Sequence, residues 1–171
     1  CDVYPERIAP IPDGVPTVHL KSRLLYCRLL HAGVEVVDPL PALAAVKDED
    51  PPPCMLRDTH WSPRGSRLAA SLVAERLPDQ SVGGGGIITR EGQVLKRGGD
   101  LAENWNRSGR KRPPDEEHRF VGVAMENGKP VSPSATASVL VLGDSYSTFP
   151  YNGHLAFWAH LSQLLGTPVG F

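Results

Sequence analysis

Val139-Leu140-Val141-Leu142-Gly143-Asp144-Ser145-Tyr146-Ser147 is the stretch on which the reading of this chain turns. Four apolar residues, two of them β-branched, run into a Gly, which predicts a buried core strand ending in a sharp turn. A Ser in such a turn is held out at the tip of a sheet, where its hydroxyl can serve as a nucleophile. The amides that follow it are the expected oxyanion donors. Hydroxyl attack needs a base, and Asp58-Thr59-His60-Trp61 supplies one upstream. A carboxylate two residues ahead of a His can orient and polarise the imidazole that deprotonates Ser. Ser145, His60 and Asp58 are the candidate nucleophile, base and orienting acid.

The flanking segments place both blocks in an α/β pattern. Ser62 is a sound N-cap with Pro63 at the first helical position. From there Leu68, Leu72, Val73 and Leu77 recur at helical spacing, predicting a helix over 63–77. Asp58 and His60 then lie on a loop just ahead of a helix N-terminus, where functional side chains are often presented. After the Ser block, 155–165 predicts a helix with Trp158, Leu161, Leu164 and Leu165 on one face and Gly166 at its end. Pro168-Val169 would begin another strand.

Upstream, an irregular Pro-rich segment spans 4–16, and a helix over 17–32 follows with Val18, Leu25 and Leu29 as one stripe and Leu20, Leu24 and Cys27 beside it. Gly33 sits where a left-handed cap belongs. Val34–Val37 reads as a short strand, so helix, Gly and strand form the returning half of a βαβ unit. A short helix over 40–46 and an acidic, Pro-rich loop over 47–53 complete this half. The glycines of 83–86 lack the lysine and hydroxyl of a phosphate loop and read as a linker. A hairpin is expected over 87–95, turning at Glu91-Gly92, and a second joins 120–125 to 130–131 through Asn127-Gly128. Between them 98–117 is polar, with little sign of order.

Composition sets the outer bounds. A chain of 171 residues suits one modest α/β domain, here expected over 1–171 as a fragment of a longer chain truncated at its ends. The apolar share of 40% and charged share of 22% are those of an ordinary soluble globular protein. With 18 basic and 19 acidic side chains the net charge is −1, which argues against a nucleic-acid or anionic-membrane partner. Arg107, Arg110, Lys111 and Arg112 form the one basic cluster, read as a solvated loop able to touch an anionic sugar. No apolar run approaches the ~20 residues that span a bilayer. Cys1, Cys27 and Cys54 have no metal-like spacing and favour neither a disulfide framework nor a zinc site. Cys1 could be a lipid-modified first residue, but no flexible tether follows it.

Each candidate has a plainer alternative. Ser145 could merely cap the segment after a strand, and His60 could be a capping or surface residue. Asp58 and His60 could supply two metal ligands, but His19, His31, His118, His154 and His160 show no pairing that provides a third, so no metal and no cofactor are expected. Trp61 is a core anchor or one wall of an acyl or sugar pocket. Tyr146 and Ser147 join it as candidate substrate contacts, Ser147 also as a support of its own loop.

Taken together, Asp58-Thr59-His60-Trp61-Ser62-Pro63 with Gly65, and Gly143-Asp144-Ser145-Tyr146-Ser147, resemble the two catalytic blocks of bacterial alginate O-acetyltransferase-like proteins of the SGNH-hydrolase superfamily. Val3-Tyr4-Pro5-Glu6 is similar to the segment leaving the first strand there, and Gly99-Asp100-Leu101 to a Gly-Asp loop between the blocks. In ordinary SGNH esterases the Ser block comes first; here the Asp-His pair precedes it, as in the acetyltransferase branch. Asp144 departs from the Thr common in the alginate enzymes towards the hydrolase Gly-Asp-Ser. The superfamily's Gly and Asn oxyanion blocks have no clear counterpart.

The resemblance implies a three-layer, flavodoxin-like α/β domain with a central mostly parallel sheet. It implies a Ser-His-Asp acetyltransferase acting on a bacterial extracellular or cell-envelope polysaccharide. The enzyme would work in the periplasm or elsewhere outside the cytoplasm, and a membrane-bound acyltransferase would supply its acetyl groups. A carbohydrate esterase with the same three residues is the first alternative, and an inactive polysaccharide-binding module the second.

Overall fold

A computed structural model describes residues 3–4, 20–77, 86–150 and 153–171. The elements are α1 (Leu20–His31), α2 (Leu40–Ala45), α3 (Pro63–Ala74), β1 (Ile87–Arg97), α4 (Asp100–Arg107), β2 (Glu116–Met125), α5 (Ser145–Thr148) and α6 (Phe157–Leu165). Cys1, most of the Pro-rich opening segment, the first turn expected at 17–19 and Gly83–Gly85 lie outside the described residues.

Helices α3 and α6 pack against each other and form the main core. Small residues make the close approach possible: Ala69 and Ala70 of α3 and Ala159 of α6 are buried. Leu161, Leu165, Val123 and Val169 close around them. Ser62 caps α3 as its sequence predicts, accepting a bond from the Gly65 amide with Pro63 in the first turn. Gly65 is required for packing, since a Cβ there would lie 2.2 Å from the Pro53 carbonyl oxygen. Gly166 ends α6 in the left-handed conformation.

The described sheet is a two-stranded antiparallel β1–β2 pair; the expected mostly parallel central sheet is absent among the described residues. The anticipated hairpin over 87–95 is instead one continuous strand of 11 residues. Glu91 and Gly92 are accommodated as a bulge, because the register shifts between Arg90 and Gln93 and Gly92 takes a φ of +70°. Consequently β2 pairs with β1 and not with 130–131. Beyond β2 the chain turns at Asn127-Gly128, with the Met125 amide bonded to the Lys129 carbonyl.

Val139–Leu142 is extended but is no strand of a ladder. Its one pairing among the described residues is a parallel bridge between Leu140 and Gly170. Val139 and Val141 pack on the core, whereas Leu140 and Leu142 are 64% and 86% exposed. A run buried on both faces was expected; successive side chains point to opposite faces, and among the described residues only the face with Val139 and Val141 is covered. Likewise 34–37 carries no strand. Helix α1 forms and Gly33 ends it at φ +77°, but none of its residues is buried, and Leu25 of the expected stripe and Leu20 and Leu24 beside it are exposed.

The polar stretch 98–117 contains a helix that periodicity did not show. Asp100 and Glu103 stand in the first turn of α4 and Arg107 in its last, which matches the helix dipole. The amides of Leu101 and Ala102 donate to the Arg57 carbonyl at 3.1 and 3.3 Å, tying α4 to the loop that carries Asp58.

Candidate active site

The Asp58–His60 loop is held from three sides. At its base Ser62 N donates to Pro53 O at 2.8 Å and Met55 N to His60 O at 3.2 Å. On one flank the buried Glu116 carboxylate accepts the amides of Leu56 at 3.0 Å and Arg57 at 2.5 Å. On the other, Asp100 accepts Thr59 N at 2.8 Å and Thr59 Oγ1 at 2.5 Å. Asp100 can come this close because Gly99 adopts φ +78°, and a Cβ on Gly99 would lie 2.0 Å from the Arg57 carbonyl oxygen.

Within this frame the Asp58 side chain is fully buried and makes four contacts. Its Oδ1 accepts His60 Nδ1 at 2.5 Å and the His60 amide at 3.1 Å. Its Oδ2 accepts the Asp100 amide at 3.2 Å and faces Arg97 Nε at 3.5 Å. Burial by itself pushes this carboxyl up. Hydrogen bonds from the ring and the amide of His60, the electrostatic attraction of that ring and the Asp100 amide outweigh it and hold Asp58 below its ordinary value. Asp58 is therefore an anion at neutral pH and can only accept, which puts a proton on His60 Nδ1 and leaves Nε2 as an acceptor.

His60 Nε2 lies 2.8 Å from Ser145 Oγ. Carboxylate, imidazole and hydroxyl thus form one hydrogen-bonded chain, His60 and Ser145 being 85 residues apart in sequence. The ring is fixed on its faces as well: Phe149 stacks on it at 4.6 Å with an interplanar angle of 4°, and Tyr146 lies tilted at 4.9 Å. The Arg97 guanidinium stands 4.9 Å from the centre of the Phe149 ring.

Ser145 opens the short helix α5, whose N-cap is Asp144. The Asp144 carboxylate accepts the Tyr146 amide at 2.9 Å, and its carbonyl accepts the Ser147 amide at 3.0 Å. The two amides expected to cradle an oxyanion are thus already committed to Asp144.

Trp61 and Tyr146 clasp the two blocks together. Trp61 Nε1 donates to the Tyr146 carbonyl at 2.7 Å, and the Tyr146 hydroxyl donates to the Thr59 carbonyl at 2.7 Å. Burial, then the charges of Cys54, Asp100, Asp144 and Asp58, push the Tyr146 phenol up, so it remains a donor. With their polar atoms used, the two rings present apolar surface to a cavity of about 710 Å³, lined also by Leu43, Met55 and Leu101. Neither His60 nor Ser145 lines that cavity. Ser147 packs beneath Gly143, where a Cβ would come within 2.0 Å of its hydroxyl.

Asp58, His60 and Asp100 offer ligand atoms within 4.8 Å of one another and are the residues that could hold a cation. Every one of those groups already serves a hydrogen bond, and Arg97 brings a positive charge to the same carboxylate. That donor set suits an orienting network better than a metal. Sequence reasoning missed Arg97, Phe149 and Glu116, which no motif or spacing in the sequence marks.

A family model described as an SGNH hydrolase-like domain, acetyltransferase AlgX, matches residues 11–170. Two solved structures share the fold. The O-acetyltransferase domain of Pseudomonas putida AlgJ superposes with a TM-score of 0.70 at 24% identity, over 98% of this chain and 57% of that one. Pseudomonas aeruginosa AlgX superposes with a TM-score of 0.65 at 17% identity, over 88% of this chain and 36% of that one. The chain therefore spans little more than half of the first structure and about a third of the second. No curated protein matches the sequence.

Proposed function

The chain belongs to the family of SGNH hydrolase-like domains of acetyltransferase AlgX, and from that premise we propose that residues 1–171 act as one catalytic unit for acetyl transfer. The acetyl group would pass through Ser145 to a hydroxyl of a bacterial extracellular or cell-envelope polysaccharide. The observation that carries this reading is the run from Asp58 through His60 to Ser145, with contacts of 2.5 and 2.8 Å.

In the first half-reaction Ser145 Oγ attacks the acetyl carbonyl carbon of the donor while its proton passes to His60 Nε2. The tetrahedral intermediate collapses, and the leaving group departs with the proton from Nε2. Asp58 keeps the Nδ1 proton in place throughout and offsets the imidazolium charge. In the second half-reaction a sugar hydroxyl gives its proton to Nε2 and attacks acetyl-Ser145. Ser145 Oγ then leaves and recovers the proton. Base catalysis of this kind contributes roughly 10²- to 10⁴-fold. Trp61 and Tyr146 wall the acceptor side, and Ser147 supports the turn. The setting would be periplasmic, with a membrane-bound acyltransferase supplying acetyl groups; among the described residues no helix is long and apolar enough to cross a membrane.

A carbohydrate esterase is the second reading, favoured by the partial exposure of Ser145, which lets water reach the acyl-enzyme. The test incubates the protein and its Ser145→Ala, His60→Ala and Asp58→Ala variants with nitrophenyl acetate and an oligosaccharide, and weighs the products. Acetylated sugar from the parent alone supports transfer. Free acetate without acetylated sugar selects the esterase, and undiminished turnover in all three variants rejects the reading.

A further inference from the structure

Strand β1 ends at Arg97, and the alternation of side chains along a strand puts Arg97 on the same face as Leu95. Leu95 is buried in one cluster with Phe120 and Phe149, so that face of β1 leads the Arg97 side chain towards Phe149. Its guanidinium arrives over the ring, 4.9 Å from the centre, while its Nε stands 3.5 Å from Asp58 Oδ2. Both of these neighbours hold His60. Asp58 takes the Nδ1 edge of the imidazole through Oδ1 at 2.5 Å, and Phe149 covers a face of it at 4.6 Å with the rings 4° from parallel. Arg97 thus reaches His60 by two routes, one to its edge and one to its face.

Neither neighbour is rigid by itself. The terminal torsion of an Asp side chain is broad, so a carboxylate swings unless both oxygens are held. Here Oδ2 is held by the Asp100 amide at 3.2 Å and by Arg97, which keeps Oδ1 on Nδ1. A planar guanidinium suits both contacts, because its flat face lies on an aromatic ring while its N–H edge meets a carboxylate. Resting on the acetyl-transfer reading above, we propose that Arg97 is a positioning residue for His60: it locks the Asp58 carboxylate and the Phe149 ring so that Nε2 stays aimed at Ser145 Oγ. Charge acts in the opposite sense. A cation beside Asp58 draws on the carboxylate that must offset the imidazolium, which disfavours protonation of His60. Removing Arg97 would speed turnover if charge were its main effect, and slows turnover if position is.

The test compares the full chain with Arg97→Ala, Arg97→Lys and Ser145→Ala, each checked by circular dichroism. In Arg97→Ala the kcat for nitrophenyl acetate should fall about 10- to 100-fold with KM within about twofold. Guanidinium chloride below denaturing concentration should restore part of that loss, since the Arg97 side chain is 35% exposed and solvent reaches its place. Arg97→Lys keeps a charge for Asp58 but no flat face for Phe149, and should lose about 2- to 10-fold. A readout independent of turnover is the downfield proton NMR signal of His60 Nδ1–H, assigned by its absence from His60→Ala. It should persist in Ser145→Ala and disappear from Arg97→Ala. Unchanged or raised kcat in Arg97→Ala, a loss that neither lysine nor guanidinium relieves, or an unaltered Nδ1–H signal would each overturn the positioning role. So would an Arg97→Lys kcat equal to the parent's, which decides the matter even if Arg97→Ala fails to fold. Turnover that persists in Ser145→Ala rejects the acetyl-transfer reading instead, and the NMR comparison still decides the role of Arg97.

Discussion

Replacing His160 with Leu should flatten the acid limb of the stability profile. His160 sits in α6 with 1% of its surface exposed, and neither ring nitrogen makes a hydrogen bond. Burial, then the positive charge of Arg67, lowers its pKa from 6.5 to about 4; His154 adds to this, and the Leu155 backbone opposes it without reaching hydrogen-bond geometry. The unfolded chain therefore takes up this proton below about pH 6.5, while the folded chain resists it to about pH 4. Stability from the neutral imidazole is complete above pH 6.5 and drains away as pH falls through the window to 4. About 2.5 pH units at about 1.36 kcal/mol each gives a loss of about 3 kcal/mol. Urea denaturation at pH 7.5, 6.5, 5.5 and 4.5 on parent and His160→Leu measures it. Carboxylates titrate alike in both proteins, so between pH 7.5 and 4.5 the parent should lose about 2.5 kcal/mol more than the variant, the remainder of the window lying below pH 4.5. Parallel profiles would refute a buried neutral His160.

Asp58→Asn should leave the fold intact and reduce nitrophenyl acetate turnover by a factor on the order of 10³ to 10⁴, because the wrong His60 tautomer then faces Ser145; the check is kcat beside an unchanged circular dichroism spectrum. Gly99→Ala places a methyl 2.0 Å from the Arg57 carbonyl oxygen at φ +78°, and should cost about 2 kcal/mol or more in urea denaturation together with most activity. Tyr146→Phe removes the bond to Thr59 O, costing about 1 kcal/mol and lowering kcat more than it raises KM for the small ester.

The local chemistry of both blocks was legible in sequence because it rests on neighbours. Ser62 caps α3 with Pro63 behind it, Gly166 stops α6, and Asp58 reaches His60 across a single residue. These depend on side-chain type and spacing. What the sequence concealed depends on partners far along the chain. Val139–Leu142 reads as a core strand by its apolar run, yet among the described residues only the Val139 and Val141 face meets the core, and Leu140 and Leu142 stay exposed. Glu91-Gly92 reads as a turn, yet the same glycine conformation serves a bulge once β2 lies alongside. Asp100, Arg97 and Glu116 sit in polar stretches where periodicity carries no signal, and their roles follow from a fold that brings the 97–100 turn to the Asp58 carboxylate and Glu116 to the two amides before it. Asp144 looked like part of a hydrolase signature and acts as a helix cap that uses the amides expected to be free.

The central claim is that the Ser145 hydroxyl, activated through His60 and Asp58, carries the acetyl group. Intact mass and peptide mapping after brief exposure to nitrophenyl acetate test it most directly. The account predicts a single acetyl group on Ser145 in the parent, none in Ser145→Ala, and its discharge when a sugar acceptor is added. Equal labelling of Ser145→Ala, or an acetyl group mapped to another residue, would contradict it.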